Sequence, residues 1–373
     1  MSRFDHLAPF PKLSPYRSSL WSGPMAARLA LLVTVLAGAA LLGASTGCAV
    51  EPIAQGGEQA FTESWQPAPV RDGNLRVASF NIRNFPFMPV DPEAEARTPP
   101  VSYQLETNVD ALLVELAKLD FDVMGVQEII DTELFGEVVK RLADQTERPY
   151  EAVFAANTAG NPQHVGIVWD ADKVRLAWLD EHEELDLTGR LRPGLSARIE
   201  SNRPGGVDFG LMVLHLVSGS STKRADLRAQ QAEIASVIIA EQMAAAEDAD
   251  YLVVGDLNTA REEEEFGPLD AAFAAGTGLA RQENASGCTS YWIKKSTNPL
   301  LRPSWLDHVY QASLTERDLE VPILAGGHCA ERRCEQYEST DAESGSTFYD
   351  VSDHCPVYFE LRDLDDDAAA AAG

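Results

Sequence analysis

The chain has 373 residues, 45% of them hydrophobic, which is enough for one large core or two modest ones. Its 58 acidic and 30 basic residues give a formal charge of -28, a surface that repels nucleic acid and anionic lipid at long range. That balance excludes a protein that coats DNA stably, but not an enzyme that meets phosphate briefly through a local basic site or a bound cation. No period of about 20 to 50 residues repeats along the chain, which excludes a solenoid or propeller.

The first segment has the order of an export signal. Leu29 to Leu42 is an uncharged apolar run of 14 residues, shorter than the roughly 20 that a spanning helix needs. Arg28 stands before it and Ala44-Ser45-Thr46-Gly47-Cys48 after it, the sequence of charge, apolar run and small residues that marks a signal peptide. With Cys48 directly after Gly47, residues 1–48 resemble a bacterial lipoprotein signal, which implies lipidation of Cys48; cleavage by ordinary signal peptidase is the alternative. Met25 is a candidate start, since the signal is compact from there. Residues 49–72, rich in Gln, Gly, Glu and Pro, form a tether.

Residues 73–363 carry no linker and are assigned as one catalytic domain. Leu75 to Ile82 alternates like a strand, Pro86 to Pro100 is a proline-rich loop, and Gln104 to Lys118 has helical spacing. Asp122 to Ile129 is a buried strand, followed by a helix near Glu133 to Leu142. Strands are expected at Tyr150 to Ala156, Val165 to Asp170, Val174 to Leu179, Leu195 to Glu200 and Phe209 to Leu216. A long helix over Lys223 to Ala246 precedes strands at Tyr251 to Asn258, Leu306 to Gln311 and Val351 to Leu361. Residues 364–373 form an acidic, alanine-rich tail. Helices sit between groups of strands rather than after each one, which predicts packed sheets with outer helices.

Four cysteines follow Cys48, an even number in an exported chain. Cys329 and Cys334 close a short loop and are the candidate disulfide, with Cys355 taken as a buried strand residue.

Polar residues cluster at the ends of apolar strands: Asn81, Glu128, His215, Asp256 with Asn258, and Asp353 with His354, while Asp307 and His308 open a further strand. Carboxylates and amides converging over a sheet are hard oxygen ligands suited to Mg²⁺ or Mn²⁺. Histidines beside them transfer protons near neutral pH. Phosphate ester cleavage needs this set. Each residue alone is as readily a turn or core residue; together, in this order, they are not.

The order of motifs resembles the endonuclease/exonuclease/phosphatase superfamily. It is carried by Ser79-Phe-Asn81, Gln127-Glu128, Val165-Gly-Ile-Val-Trp169, His215-Leu216, Gly255-Asp-Leu-Asn258, Leu306-Asp-His308 and Ser352-Asp-His-Cys-Pro356. The resemblance implies a four-layered α/β sandwich with two packed mixed sheets flanked by helices. It implies Glu128 as the principal metal ligand, with Asn81 and Asp353 beside it. Mg²⁺ is the expected ion, with Mn²⁺ or Ca²⁺ as alternatives. Asp256 would orient or deprotonate the attacking water and Asn258 would hold phosphate. His354, oriented by Asp307, would be the acid–base partner, and His215 the second histidine. Arg192 lies where members carry a phosphate-contacting arginine, with Arg190 nearly as good. One departure stands out: Asn161-Pro-Gln-His164 offers no carboxylate to support His215, which implies a less basic His215 acting as a donor.

Two basic clusters are expected to meet substrate: Lys294, Lys295 and Arg302 with Trp292 and Trp305, and Lys223, Arg224 and Arg228. The resulting expectation is a monomeric, exported phosphodiesterase at the outer membrane or cell surface, or periplasmic or secreted without the lipid. Nucleic acid is the leading substrate; a phospholipid, sphingomyelin or inositol phosphate is the rival, and an inactive surface binding protein the reading from another class.

Overall fold

The computed structural model describes residues 65–88, 105–156, 160–259, 266–295, 298–338 and 347–365. Cys48, Met25, the apolar run and the acidic tail from Asp366 lie outside the described residues, as do the side chains of Lys294 and Lys295. Among the described residues no helix is long and apolar enough to cross a membrane.

Two six-stranded sheets form the centre. Across the first run β13 (Leu324–Ala325), β15 (Val357–Arg362), β1 (Asn74–Phe85), β2 (Val123–Ile129), β4 (His164–Asp170) and β3 (Tyr150–Phe154). Across the second run β5 (Val174–His182), β6 (Gly194–Ser201), β7 (Asp208–His215), β8 (Tyr251–Asp256), β12 (Asp307–Ala312) and β9 (Ala280–Arg281). The central strands are apolar on both faces, so alternate residues serve different layers. Val77, Val123 and Ile167 of the first sheet meet Leu211, Val213 and Val254 of the second. The other face of the first sheet, with Phe80, Met124 and Val126, is covered by α1 (Val109–Leu119) and α2 (Thr132–Thr146). Met212, Leu214 and Val253 face α3 (Thr222–Ala246) and α4 (Phe266–Ala274). The four-layered α/β sandwich is therefore present.

Two parallel pairs place the chemistry. β1 runs parallel to β2, and β7 to β8, each pair joined by a crossover that contains a helix. Parallel strands end side by side, so Asn81 lies level with Gln127, next to Glu128, and His215 lies level with Asp256. β12 runs antiparallel to β8 and starts where β8 stops, with Asp307 paired to Asp256. His215, Asp256 and Asp307 thus form one row across three adjacent strands.

Two expectations are corrected, and one feature is new. The disulfides are Cys288–Cys334 and Cys329–Cys355, not Cys329–Cys334. The short helix α5 (Gly327–Glu331) buries Cys329 beside Cys355, while left-handed backbone at Arg333 and Cys334 turns Cys334 away toward Cys288. Asp353 and His354 do not lie on the last strand: a helical turn, α6 (Thr347–Asp350), comes first, and the strand begins at Val357, after Pro356, which has no N–H to give a ladder. A third, small sheet of β10 (Ser290–Lys295), β11 (Asn298–Ser304) and β14 (Tyr337–Glu338) was hidden by its prolines and charges.

Gly255 is required where it stands. Its φ is +141°, and a Cβ there would meet the Leu214 carbonyl oxygen at 2.0 Å. Gly255→Ala should therefore destabilise the fold by on the order of 3 kcal/mol or more. Gly136→Ala, inside α2 with open space around it, should be neutral or stabilise by up to about 1 kcal/mol. Urea unfolding of the two variants checks the pair, and equal midpoints would contradict it.

Candidate active site

β1 carries Asn81 into the gap between the sheets. Its Nδ2 donates to Asp256 Oδ2 at 3.0 Å, and its Oδ1 accepts the Arg83 N–H at 3.0 Å. Beyond Asn81 the β1–β2 register slips until Phe85 meets Ile129, and Arg83 and Asn84 in this bulge have left-handed backbone. Glu128 is left-handed too, with φ 64°. Its Oε2 accepts the Asn84 N–H at 2.9 Å, and its Oε1 lies 3.7 Å from His215 Nε2, beyond hydrogen-bond range.

Asp256 is the hub. Its Oδ2 lies 3.3 Å from His215 Nε2 and 3.8 Å from His354 Nε2, and its Oδ1 accepts the Asn258 N–H at 2.9 Å. Burial alone would raise its pKa; the hydrogen bond from His215 and the nearby His354 charge overcome that and hold it far below the usual carboxylate range. His354 Nδ1 donates to Asp307 Oδ2 at 2.8 Å. Burial opposes its charge, but Asp307, through charge and hydrogen bond, and then Asp256 and Asp353 raise its pKa well above the ordinary value. His215 goes the other way: burial, then the Arg192 charge, lower its pKa, and its buried Nδ1 has no hydrogen-bond partner. The pattern is one charged and one neutral imidazole on either side of an ionised carboxylate. In the segment 161–164, Gln163 donates to Asn84 Oδ1 at 2.7 Å.

Arg192 is buried and donates from Nη2 to the Leu216 carbonyl, which also accepts from Asn258 Nδ2 at 3.0 Å. Its Nε is buried without a partner, and the Glu128 and Asp256 charges act on it. Arg190, two residues before, is exposed. Donor atoms of Glu128, His215 and Asp256 lie within 4.8 Å of one another. A divalent cation fits here: Glu128 Oε1 accepts no hydrogen bond, and the Asn81 amide oxygen and carboxylates are hard donors. Asp353 is not in that group among the described residues; its backbone carbonyl accepts from Tyr291, and its charge bears on His354 and Arg83. The other cluster of potential ligands, His328, Cys329 and Cys355, has its sulfurs in a disulfide.

The basic clusters do not survive intact. Arg228 is buried and donates to the Val217 and Gly219 carbonyls, so Lys223 and Arg224 remain at the surface without it. Trp305 stacks on His308 and Phe266, whereas Trp292 is exposed beneath the Arg302 guanidinium. Of the supporting residues, Thr289 carried no signal in the sequence, while Ser352 stood in a motif without a role of its own. Thr289 Oγ1 accepts the N–H groups of Leu306 and Asp307, and Ser352 Oγ donates to the Asn81 carbonyl while accepting the His354 N–H. Arg83 could have been found, because a period of two places a charge on the same side of a buried strand as Asn81.

His308, the last residue of Leu306-Asp-His308, is structural. It is buried, meets the Thr259 carbonyl through Nε2 at 3.0 Å, and burial pushes its pKa down to about 4. A histidine with depressed folded pKa costs stability as pH falls from its ordinary value of 6.5 toward 4, on the order of 3 kcal/mol at the lower end. His308→Gln should flatten the slope of unfolding free energy against pH in that window by about one proton. Denaturant unfolding at a series of pH values reads the slope, and an unchanged slope would mean that folded His308 carries charge.

No family model and no curated protein matches the chain. Solved structures do. An endonuclease/exonuclease/phosphatase family protein of Bacteroides thetaiotaomicron is 18% identical, with 78% of this chain and 98% of that one covered and a TM-score of 0.50. A mannosyl-6-phosphatase of the same organism is 17% identical, covering 77% and 99%, with a TM-score of 0.50. ANGEL2, a 2',3'-cyclic phosphatase solved with adenosine-2',3'-vanadate, is 12% identical, covering 78% and 96%, with a TM-score of 0.52. Likeness at such identities is likeness of fold: this chain has the fold of the endonuclease/exonuclease/phosphatase proteins, over nearly the whole length of each of these structures.

Proposed function

We propose that the chain is a metal-dependent phosphoric ester hydrolase that cleaves phosphodiesters, with nucleic acid as its leading substrate. The observation that carries this reading is the row Asp307, His354, Asp256, His215, in which neighbouring polar atoms stand 2.8, 3.8 and 3.3 Å apart. Asp256, ionised and buried, can orient a water molecule for attack. His354, charged through Asp307, can donate to a phosphate oxygen. His215, neutral, offers an Nε2–H, and the partnerless Arg192 Nε is a buried cationic donor for the charge that develops on phosphate. Glu128 and Asn81 would hold the cation, most simply Mg²⁺, which when bound neutralises phosphate charge and polarises the ester.

A second substrate class has its own support. The formal charge of -28 and the withdrawal of Arg228 from the surface leave little to track a polyanion, and two proteins of the same fold are named a mannosyl-6-phosphatase and a 2',3'-cyclic phosphatase. Plasmid DNA, RNA, a 2',3'-cyclic nucleotide, a sugar phosphate and sphingomyelin vesicles, each with Mg²⁺, Mn²⁺ or Ca²⁺, separate the classes. Chelation should abolish turnover and added Mg²⁺ or Mn²⁺ restore it, and His354→Ala should lower kcat by about 10²-fold or more. Undiminished activity after exhaustive chelation, or wild-type kcat in a folded His354→Ala, would refute the reading.

Export belongs to the same proposal. Two disulfides suit an oxidising compartment, and the signal at 29–48 supplies the route. If Cys48 carries lipid, Cys48→Ser should move the protein from the membrane fraction to the soluble one; unchanged fractionation would place the anchor elsewhere.

A further inference from the structure

Arg83 is among the largest fully buried side chains of the molecule, at 1% exposure, yet none of its hydrogen bonds goes to a carboxylate. Its guanidinium donates to two backbone carbonyls, Phe348 at 2.6 Å and Tyr349 at 3.0 Å. A buried charge met only by carbonyls is costly, as is left-handed backbone at a residue with a side chain; Arg83 has both, with φ 28°. Such costs persist where the surrounding structure uses the conformation.

Its use is visible on both sides. The Arg83 N–H holds the Asn81 amide oxygen, which turns the Asn81 Nδ2 toward Asp256. The next N–H, that of Asn84, holds Glu128 Oε2. The fork of the guanidinium grips the turn at 348–349, and four residues further that turn delivers Asp353 and then His354. Ser352 closes the connection by donating to the Asn81 carbonyl. One residue therefore touches Asn81 on one side and, on the other, the turn that carries the acid–base histidine.

We propose that Arg83 is a positioning residue that locks the Asn81–Glu128 edge to the Asp353–His354 turn, so that the cation site and His354 keep one relative placement. The proposal rests on the hydrolase reading above for its consequences in turnover, but not for its consequences in cation binding. A counter-charge role predicts otherwise: removing a positive charge near Glu128 and Asp353 would tighten cation binding, and lysine would replace arginine fully. A two-pronged clamp predicts weaker binding without the charge and only partial rescue by lysine, which lacks the planar fork.

The test uses the mature chain and its Arg83→Met and Arg83→Lys variants, with Mn²⁺ titrated calorimetrically, amide hydrogen exchange read over residues 347–354, and turnover of bis(p-nitrophenyl) phosphate. Arg83→Met should weaken Mn²⁺ binding by about tenfold or more, lower kcat by roughly 10- to 100-fold with KM nearly unchanged, and speed exchange across the turn. Arg83→Lys should fall between. Tighter Mn²⁺ binding in Arg83→Met, or wild-type Mn²⁺ binding and exchange in Arg83→Lys, would overturn the proposal. If Arg83→Met does not fold, Arg83→Lys decides by the same measures. If the unmodified chain binds Mn²⁺ but cleaves no phosphodiester, the hydrolase reading fails, while the binding and exchange results still judge Arg83.

Discussion

A carboxylate sealed between two sheets is the constraint around which the molecule is arranged. Asp256 cannot stay ionised in an apolar interior unless donors surround it. Asn81 and the Asn258 N–H supply direct hydrogen bonds, while His215 and His354 close in from opposite sides. Those donors come from β1, β7, the turn after β8 and the segment before β15. Satisfying one charge therefore fixes the relative placement of both sheets. The glycine before Asp256 and the abrupt ends of the parallel strands serve the same requirement. Stability and chemistry are joined here, because the groups that make Asp256 tolerable are those that would act on phosphate.

The part of this arrangement that follows strand periodicity was legible in the sequence. Asn81, His215, Asp256 and Asp307 stand at the ends of apolar runs; strand register sets the last three side by side, and the packing of the two sheets brings Asn81 to Asp256. The parts written in loop geometry were not legible. Asp353 and His354 looked like strand residues because Val351 to Leu361 is apolar, and only the bond of Ser352 to the Asn81 carbonyl and the proline at 356 break that strand. The cysteine pairing failed for a related reason. Closeness along the chain favoured Cys329 with Cys334, whereas a single helical turn and two left-handed residues point their sulfurs apart. Arg228 looked like a surface cation and proved to be a strut under the His215 loop.

The two histidines differ in charge without differing in burial. His354 has a carboxylate at Nδ1; His215 has nothing there and a guanidinium nearby. Burial and the Arg192 charge thus disfavour the proton on His215, while Asp307 favours the one on His354.

The pairing of β1 with β15 has a further bearing on when activity can exist. Asn74 lies opposite Arg362 and Ser79 opposite Val357, so the first strand of the domain waits for the last. Pairing across such a separation is slow and follows synthesis of nearly the whole chain. A polypeptide whose synthesis has not yet passed residue 353 would lack the final strand, and with it His354 and the disulfide that anchors the next residue. The row around Asp256 would then be completed only as the last strand pairs, so whatever depends on His354 arises in one step, once nearly the whole chain has been made.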